Sequence, residues 1–110
     1  MKARIPGMPQ GGQAAMMKRV QEMQQQMEEK QAEIEATEFS ASAGGGAVEV
    51  VVTGAHEIKK IDLKPEIVDP DDIEMLSDLI IAAANEAMKR AEDAMSRAMD
   101  QFKGGLGLPF

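Results

Sequence analysis

Apolar residues recur at Ile73, Leu76, Ile80, Ala83, Ala87, Ala91, Ala94, Ala98 and Phe102, in steps of three or four. That is the period of one helix face, and it predicts a long helix from about Asp69 to Phe102. Asp69 is the expected N-cap and Pro70 the expected first helical residue, where its missing N–H costs nothing. Asp71, Asp72 and Glu74 follow where the helix dipole favours negative charge, and Gly104-Gly105 is the expected stop. Such a helix would be about 50 Å long, more than a small compact domain needs, so its stripe must lie against something else long.

A second helical pattern spans Gln13 to about Thr37. Met16, Val20, Met23, Met27 and Ile34 form a short heptad stripe with Lys30 in the seam. Gln and Glu fill the outer face and propagate a helix well. Between the two helices the period changes to two. Glu38–Ala43 alternates with Phe39, Ala41 and Ala43 on one face, and Gly44-Gly45-Gly46 makes a turn. Ala47–Thr53 reads as a strong strand with Val48, Val50 and Val52 facing one way. Gly54-Ala55 gives a second tight connection. Glu57–Leu63 is the third strand, with Ile61 and Leu63 on one face and Ile58, Lys60 and Asp62 on the other. Short links imply an antiparallel meander. Pro65–Val68 is long enough only for a single turn.

The predicted fold is therefore α+β: a long helix, a three-stranded antiparallel sheet and a long C-terminal helix, forming a single domain over residues 13–103. Residues 1–12, with two prolines and three glycines, read as a flexible N-terminal arm, and residues 104–110 as a flexible C-terminal tail. Three strands leave an open edge and a partly apolar face, which pairing with a second subunit would cover.

Composition sharpens this picture. The chain of 110 residues has three phenylalanines as its only aromatics and ten methionines, so its core is thin and favours oligomerisation. Cysteine is absent, which excludes disulfides and thiol chemistry. No apolar run reaches membrane-spanning length and no signal-peptide core is present, so a cytoplasmic location is expected. Net charge is −7. Residues 1–20 nevertheless carry Lys2, Arg4, Lys18 and Arg19 without an acid, whereas residues 21–38 carry six glutamates and one lysine. If the helices pack antiparallel, Lys18 and Arg19 come near Arg97 and Lys103, and one end of an acidic molecule is basic.

Candidate catalytic chemistry is sparse. His56 stands alone at a strand turn. Asp69, Asp71, Asp72 and Glu74 fit capping and the helix dipole, and they lack the central glycine of a calcium loop. Gly44-Gly45-Gly46 has no following Lys-Ser/Thr and opens a strand, so it is no phosphate loop. No nucleophile, base and orienting group combine. The expectation is a non-enzyme with no cofactor, no metal and no small-molecule substrate. Lys18, Arg19, Lys89, Arg90, Arg97 and Lys103 are ordinary solvated charges on one reading and phosphate contacts of a basic prong on the other. A rival class is a coiled-coil-like interaction or chaperone module gripping a protein through the methionine stripe.

The chain resembles the YbaB/EbfC family of bacterial nucleoid-associated proteins over nearly its whole length. The likeness lies in Met16–Met23, in Val48–Thr53 followed by Gly54, in Ile61-Asp62-Leu63-Lys64-Pro65-Glu66, in the tail ending Leu108-Pro109-Phe110, and above all in Asp78–Ala87 preceded by Asp71 and Leu76. The resemblance implies a tweezer-like homodimer with sheets at its base and helices as arms. It also implies binding to double-stranded DNA with little sequence preference, association with the nucleoid in the cytoplasm, and an influence on gene expression. Carried over, the DNA-binding candidates are Lys18, Arg19, Lys89, Arg90, Arg97 and Lys103, with Lys2 and Arg4 as further candidates. The acidic net charge departs from what a DNA-binding arm would favour.

Overall fold

A computed structural model describes residues 9–106, with side chains described for 12–102. The order is α1 (Pro9–Ala36), β1 (Glu38–Ala43), β2 (Val48–Thr53), β3 (Ile58–Leu63), a single 3-10 turn at Pro65–Ile67, and α2 (Ile73–Leu106). The sheet is an antiparallel meander in the order β1-β2-β3. The α+β class and all three strands match what the periodicities predict, within a residue at each end. The molecule measures 90 × 23 × 16 Å.

The helix ends differ from expectation, each for a local reason. Asp69 does not cap α2. Its carboxylate Oδ1 accepts the Asp71 N–H at 2.9 Å and its carbonyl accepts the Asp72 N–H at 2.9 Å, so Asp69-Pro70-Asp71-Asp72 closes into a turn. The cap is Asp72, whose Oδ1 accepts the Met75 N–H at 3.2 Å. Pro70 thus sits in the turn and not in the helix. At the other end Gly104-Gly105 does not stop α2, which continues to Leu106. A glycine costs a helix about 1 kcal/mol, and a helix of 34 residues can carry that. The first helix begins at Pro9, four residues before Gln13, since a proline in the first turn loses no bond. Most of the expected N-terminal arm, and the end of the expected tail from Gly107, lie outside the described residues.

Backbone pairing fixes which groups of the sheet are free. Gly54 N–H donates to Thr37 O at 3.1 Å, and Phe39 pairs with Val52 and Ala41 with Val50 in the same register. Odd-numbered residues of β1 therefore bond to β2, and the even ones, Ser40 and Ser42, point their backbone groups outward. The same reasoning across β2 and β3, where Thr53 N–H donates to Glu57 O at 2.8 Å and Lys64 N–H to Ala47 O at 2.9 Å, leaves the backbone groups of Ile61 and Leu63 on the free outer edge of β3.

A bulge lies between these strands. Val51 pairs with Lys60 but Val52 with Ile58, so Lys59 is an extra residue. Strict alternation puts Ile58 on the face opposite Ile61 and Leu63. The bulge brings it instead opposite Val52, on the apolar face.

The core lies between that face and the first half of α2. Val48, Val50 and Val52 are fully buried, together with Ala83 and Ala87. Burying each valine contributes about 1.5–3 kcal/mol. Alanine at the helix positions lets α2 lie close to β1 and β2. Direction follows from two contacts: Arg90 reaches Ser40, and a β-carbon on Gly44 would lie 3.0 Å from Leu79 Cδ1. Going from Ser40 to Gly44 means going backwards along α2, so β1 runs opposite to it. Thr37 is the only residue between α1 and β1, and α1 also packs on α2. The helices are therefore antiparallel, with α1 against the half of α2 that lies past the sheet.

Candidate nucleic-acid interface

Along α1 the stripe is progressively uncovered. Ile34 is 7% exposed, Lys30, Met27 and Met23 are half-buried, and Val20 and Met16 are 49% and 67% exposed. Every residue from Gly12 to Glu22 is exposed. The helix is thus an arm, rooted at the sheet and against α2, with an outer part that carries its side chains into solvent. Glutamine, methionine, alanine and glutamate hold it helical there through propensity alone.

Charge is distributed along this arm in the same sense. Lys18 and Arg19 lie on the exposed outer part, and neither enters an ion pair or hydrogen bond among the described residues. The glutamates lie mostly toward the root: Glu28, Glu29, Glu33 and Glu35 against Lys30, whose Nζ pairs with Glu33 Oε1 at 3.2 Å. Two free cations, with Glu22 as the only acid within a helical turn of them in sequence, are held away from most of the carboxylates that make the whole chain acidic. At 1.5 Å per residue, Lys18 is about 24 Å from Ile34 along the helix.

The cations of α2 do not form one group. Arg90 is level with the sheet. Its Nη1 donates to the outward carbonyl of Ser40 at 2.6 Å, and its Nε lies 3.6 Å from Glu86 Oε2. It ties the helix to the edge of β1 and closes one of the groups by which another strand could add there. Arg97, one heptad on, lies on the same side of α2 as Arg90 but past the sheet, exposed and outside the described ion pairs. Lys89 is exposed on a different side of the helix, away from the Ala83–Ala87–Ala91 face. The side chain of Lys103 and all of Lys2 and Arg4 lie outside the described residues. Lys18 and Arg19 are thus exposed cations of the arm, Lys89 and Arg97 exposed cations of α2, and Arg90 has a structural task.

Lys59 and Lys64 lie outside the sequence-based set. Both are exposed on or next to β3, and neither is ion-paired among the described residues, whereas Lys60 pairs with Asp62 at 3.3 Å. The lysine at the bulge can be singled out only by knowing the register. Beside them Ile58, Ile61 and Leu63 are 50%, 41% and 38% exposed, because α2 covers β1 and β2 and leaves the β3 side open.

No group of three or more His, Asp or Glu side chains among the described residues could hold a metal ion, and no described helix is long and apolar enough to cross a membrane. His56 is exposed in the turn before β3, its N–H donating to Thr53 O at 2.9 Å.

A helix–meander–helix chain with a charge-polarised arm defines a class of small α+β arm proteins, and the comparisons identify the family. The model of the YbaB/EbfC DNA-binding family matches residues 9–106, and the chain belongs to that family. The nucleoid-associated protein CA_C0126 of Clostridium acetobutylicum is 51% identical over 108 residues, covering 98% of this chain and 96% of that one. A nucleoid-associated protein of Alkaliphilus metalliredigens is 54% identical over 94 residues, covering 86% and 82%. The crystal structure of the uncharacterized protein HP0035 from Helicobacter pylori superposes with a TM-score of 0.66 at 17% identity, covering 78% of this chain and 90% of that one, and so shares the fold.

Proposed function

We propose that this protein is a non-enzymatic, nucleoid-associated protein that binds double-stranded DNA mainly through phosphate contacts and with low sequence specificity. The observation that carries this reading is the pair Lys18 and Arg19, exposed and, among the described residues, unpaired on the outer part of an arm whose carboxylates lie mostly at its root. Arg97 and Lys103 on α2 extend the cationic set. Positive charge held at a distance from the carboxylates attracts a polyanion that the whole chain would repel. Helical arms with lysine and arginine contact the backbone, which fixes position without reading bases. Binding of this kind bends, bridges or coats DNA, organises the nucleoid in the cytoplasm and thereby influences expression.

The working unit is a homodimer. The exposed Ile58, Ile61 and Leu63 and the unpaired outer groups of Ile61 and Leu63 are an apolar face and a strand edge that a second copy would cover. Two arms would then approach one duplex, and avidity would offset the acidic net charge.

A second reading rests on the same stretch of α1. Met16 and Met17 are 67% and 62% exposed, which suits an interaction or chaperone module gripping an apolar peptide. Titration of unrelated duplexes at several salt concentrations, on protein whose mass has been checked by sedimentation, separates the two. Affinity that is similar across sequences and falls steeply with salt is expected for phosphate-led binding. No binding at low salt would remove the DNA reading and leave the peptide-binding one.

A further inference from the structure

The arm meets the sheet at a backbone-to-backbone joint. Gly54, the first residue of the β2–β3 turn, is buried directly against the last turn of α1. A β-carbon on Gly54 would collide with the carbonyl oxygen of Ile34, and would lie 2.6 Å from Ile34 C and 3.0 Å from its Cγ2. Unlike Gly44, Gly45 and Gly46, Gly54 has no positive φ. Its lack of a side chain is required for room, not for conformation. The surroundings are pinned on both sides. Ile34 O accepts the Thr37 N–H at 3.0 Å, Thr37 O accepts the Gly54 N–H at 3.1 Å, and Thr37 Oγ1 donates to Glu33 O at 2.7 Å. On the turn side, Thr53 Oγ1 accepts the N–H groups of Ala55 and Glu57 at 3.2 and 3.3 Å. The obstruction is main chain, so no change of rotamer relieves it.

We propose that Gly54 is the positioning residue of the arm: the contact between its backbone and Ile34 sets the direction in which α1 leaves the sheet, and so where Lys18 and Arg19 meet DNA. The DNA half of this inference rests on the function proposed above. Leverage makes the joint matter. A methyl group at Gly54 would push the helix end outward by about 1 Å merely to reach the closest approach that a side-chain carbon and a main-chain oxygen tolerate. Across a helix radius of about 5–6 Å this is a tilt of about 10°, which moves Lys18, about 24 Å away, by about 4 Å. That is comparable with the length of a charge-assisted hydrogen bond, enough to detach a cation from its phosphate.

The test places spin labels at cysteines introduced for Gln21 on the arm and Glu49 on the sheet, in a chain that has none of its own. Labelled protein is diluted into unlabelled protein so that only distances within one chain are read. Gly54→Ala is compared with Gly45→Asn, a control at a turn position with nothing within 4 Å of an added β-carbon and a φ of +66° that asparagine tolerates. Expected for folded Gly54→Ala is a distance shifted by several Å. Duplex affinity should fall equally on unrelated sequences, with a salt slope smaller by about 1 for each phosphate that is no longer neutralised. Gly45→Asn should leave both readings at wild-type values. An unshifted distance overturns the joint. A shifted distance with wild-type affinity overturns its role in placing the cations, as does failure of the wild type to bind any duplex, which leaves the label distance to judge the joint alone. If Gly54→Ala does not fold, Thr37→Val removes the hydroxyl bond to Glu33 O without adding bulk. A broadened distance distribution and weaker binding then support the proposal, and an unchanged width overturns it.

Discussion

The two ends of this molecule are built on opposite principles. At the sheet, Val48, Val50, Val52, Ala83 and Ala87 are sealed from water, and every strand pairs in a defined register. On the outer arm, every residue from Gly12 to Glu22 is exposed. One end is held by burial and long-range pairing, the other by local helix propensity and its attachment to the first. Stability is therefore concentrated where function is not proposed, and the proposed contacts lie where substitution costs little folding energy. The two glycine turns show the same division. Gly44–Gly46 is there for its conformation, with open space around Gly45 and Gly46, whereas Gly54 is there because another part of the chain occupies the place of its side chain.

The largest test of this contrast pairs Val50→Asp with Met16→Gln. The first places an unpaired charge in the sealed core and should cost about 4 kcal/mol or more, unfolding a small domain. The second changes an exposed arm position and should alter stability by less than about 0.5 kcal/mol. Urea denaturation followed by circular dichroism reads both, and comparable losses would abolish the distinction between the ends. Next in size is the double reversal Lys18→Glu with Arg19→Glu. Duplex affinity at low salt should fall on the order of tenfold or more, about equally on unrelated sequences and with a shallower salt slope, while the urea midpoint stays put. Unaltered affinity would remove these residues from the interface.

Asp72→Ala sharpens the boundary where the chain enters α2. Loss of the cap should cost about 1 kcal/mol, whereas the cap predicted from sequence, Asp69, supports only a preceding turn. A larger loss on Asp69→Ala than on Asp72→Ala would reverse that assignment. The smallest expected effect is a gain. His56 has a φ of +66°, and His56→Gly should stabilise the turn by a few tenths to about 1 kcal/mol, seen as a higher urea midpoint with unchanged DNA affinity. A loss of stability would show that the histidine ring makes contacts that outweigh its backbone strain.

Helices and strands were legible because their signals are local. The three-and-four spacing from Leu76 to Phe102 and the alternation at Val48, Val50 and Val52 each report a face that must be buried, whatever buries it. The family was legible for a related reason, since its likeness is spread along the chain in order. Lys18 and Arg19 could be nominated because residues 1–20 carry no acid. Arg90 could be nominated equally well, and nothing in the residues near it shows that its guanidinium reaches back to Ser40.

What the sequence by itself determined is thus the set of elements, their order, the apolar faces and the uneven distribution of charge, because each depends on residues a few positions apart. Only the tertiary structure decided that Asp72 caps α2, that a bulge at Lys59 turns Ile58 to the apolar face, that Arg90 is tied to the β1 edge, and that Gly54 has no room for a side chain. The Asp69–Asp72 stretch offers several capping carboxylates of nearly equal propensity, and the one used is selected by the hydrogen bonds of the turn, which residue spacing does not reveal. The others are meetings between residues far apart in the chain, and no local pattern of spacing encodes which backbone will lie against which.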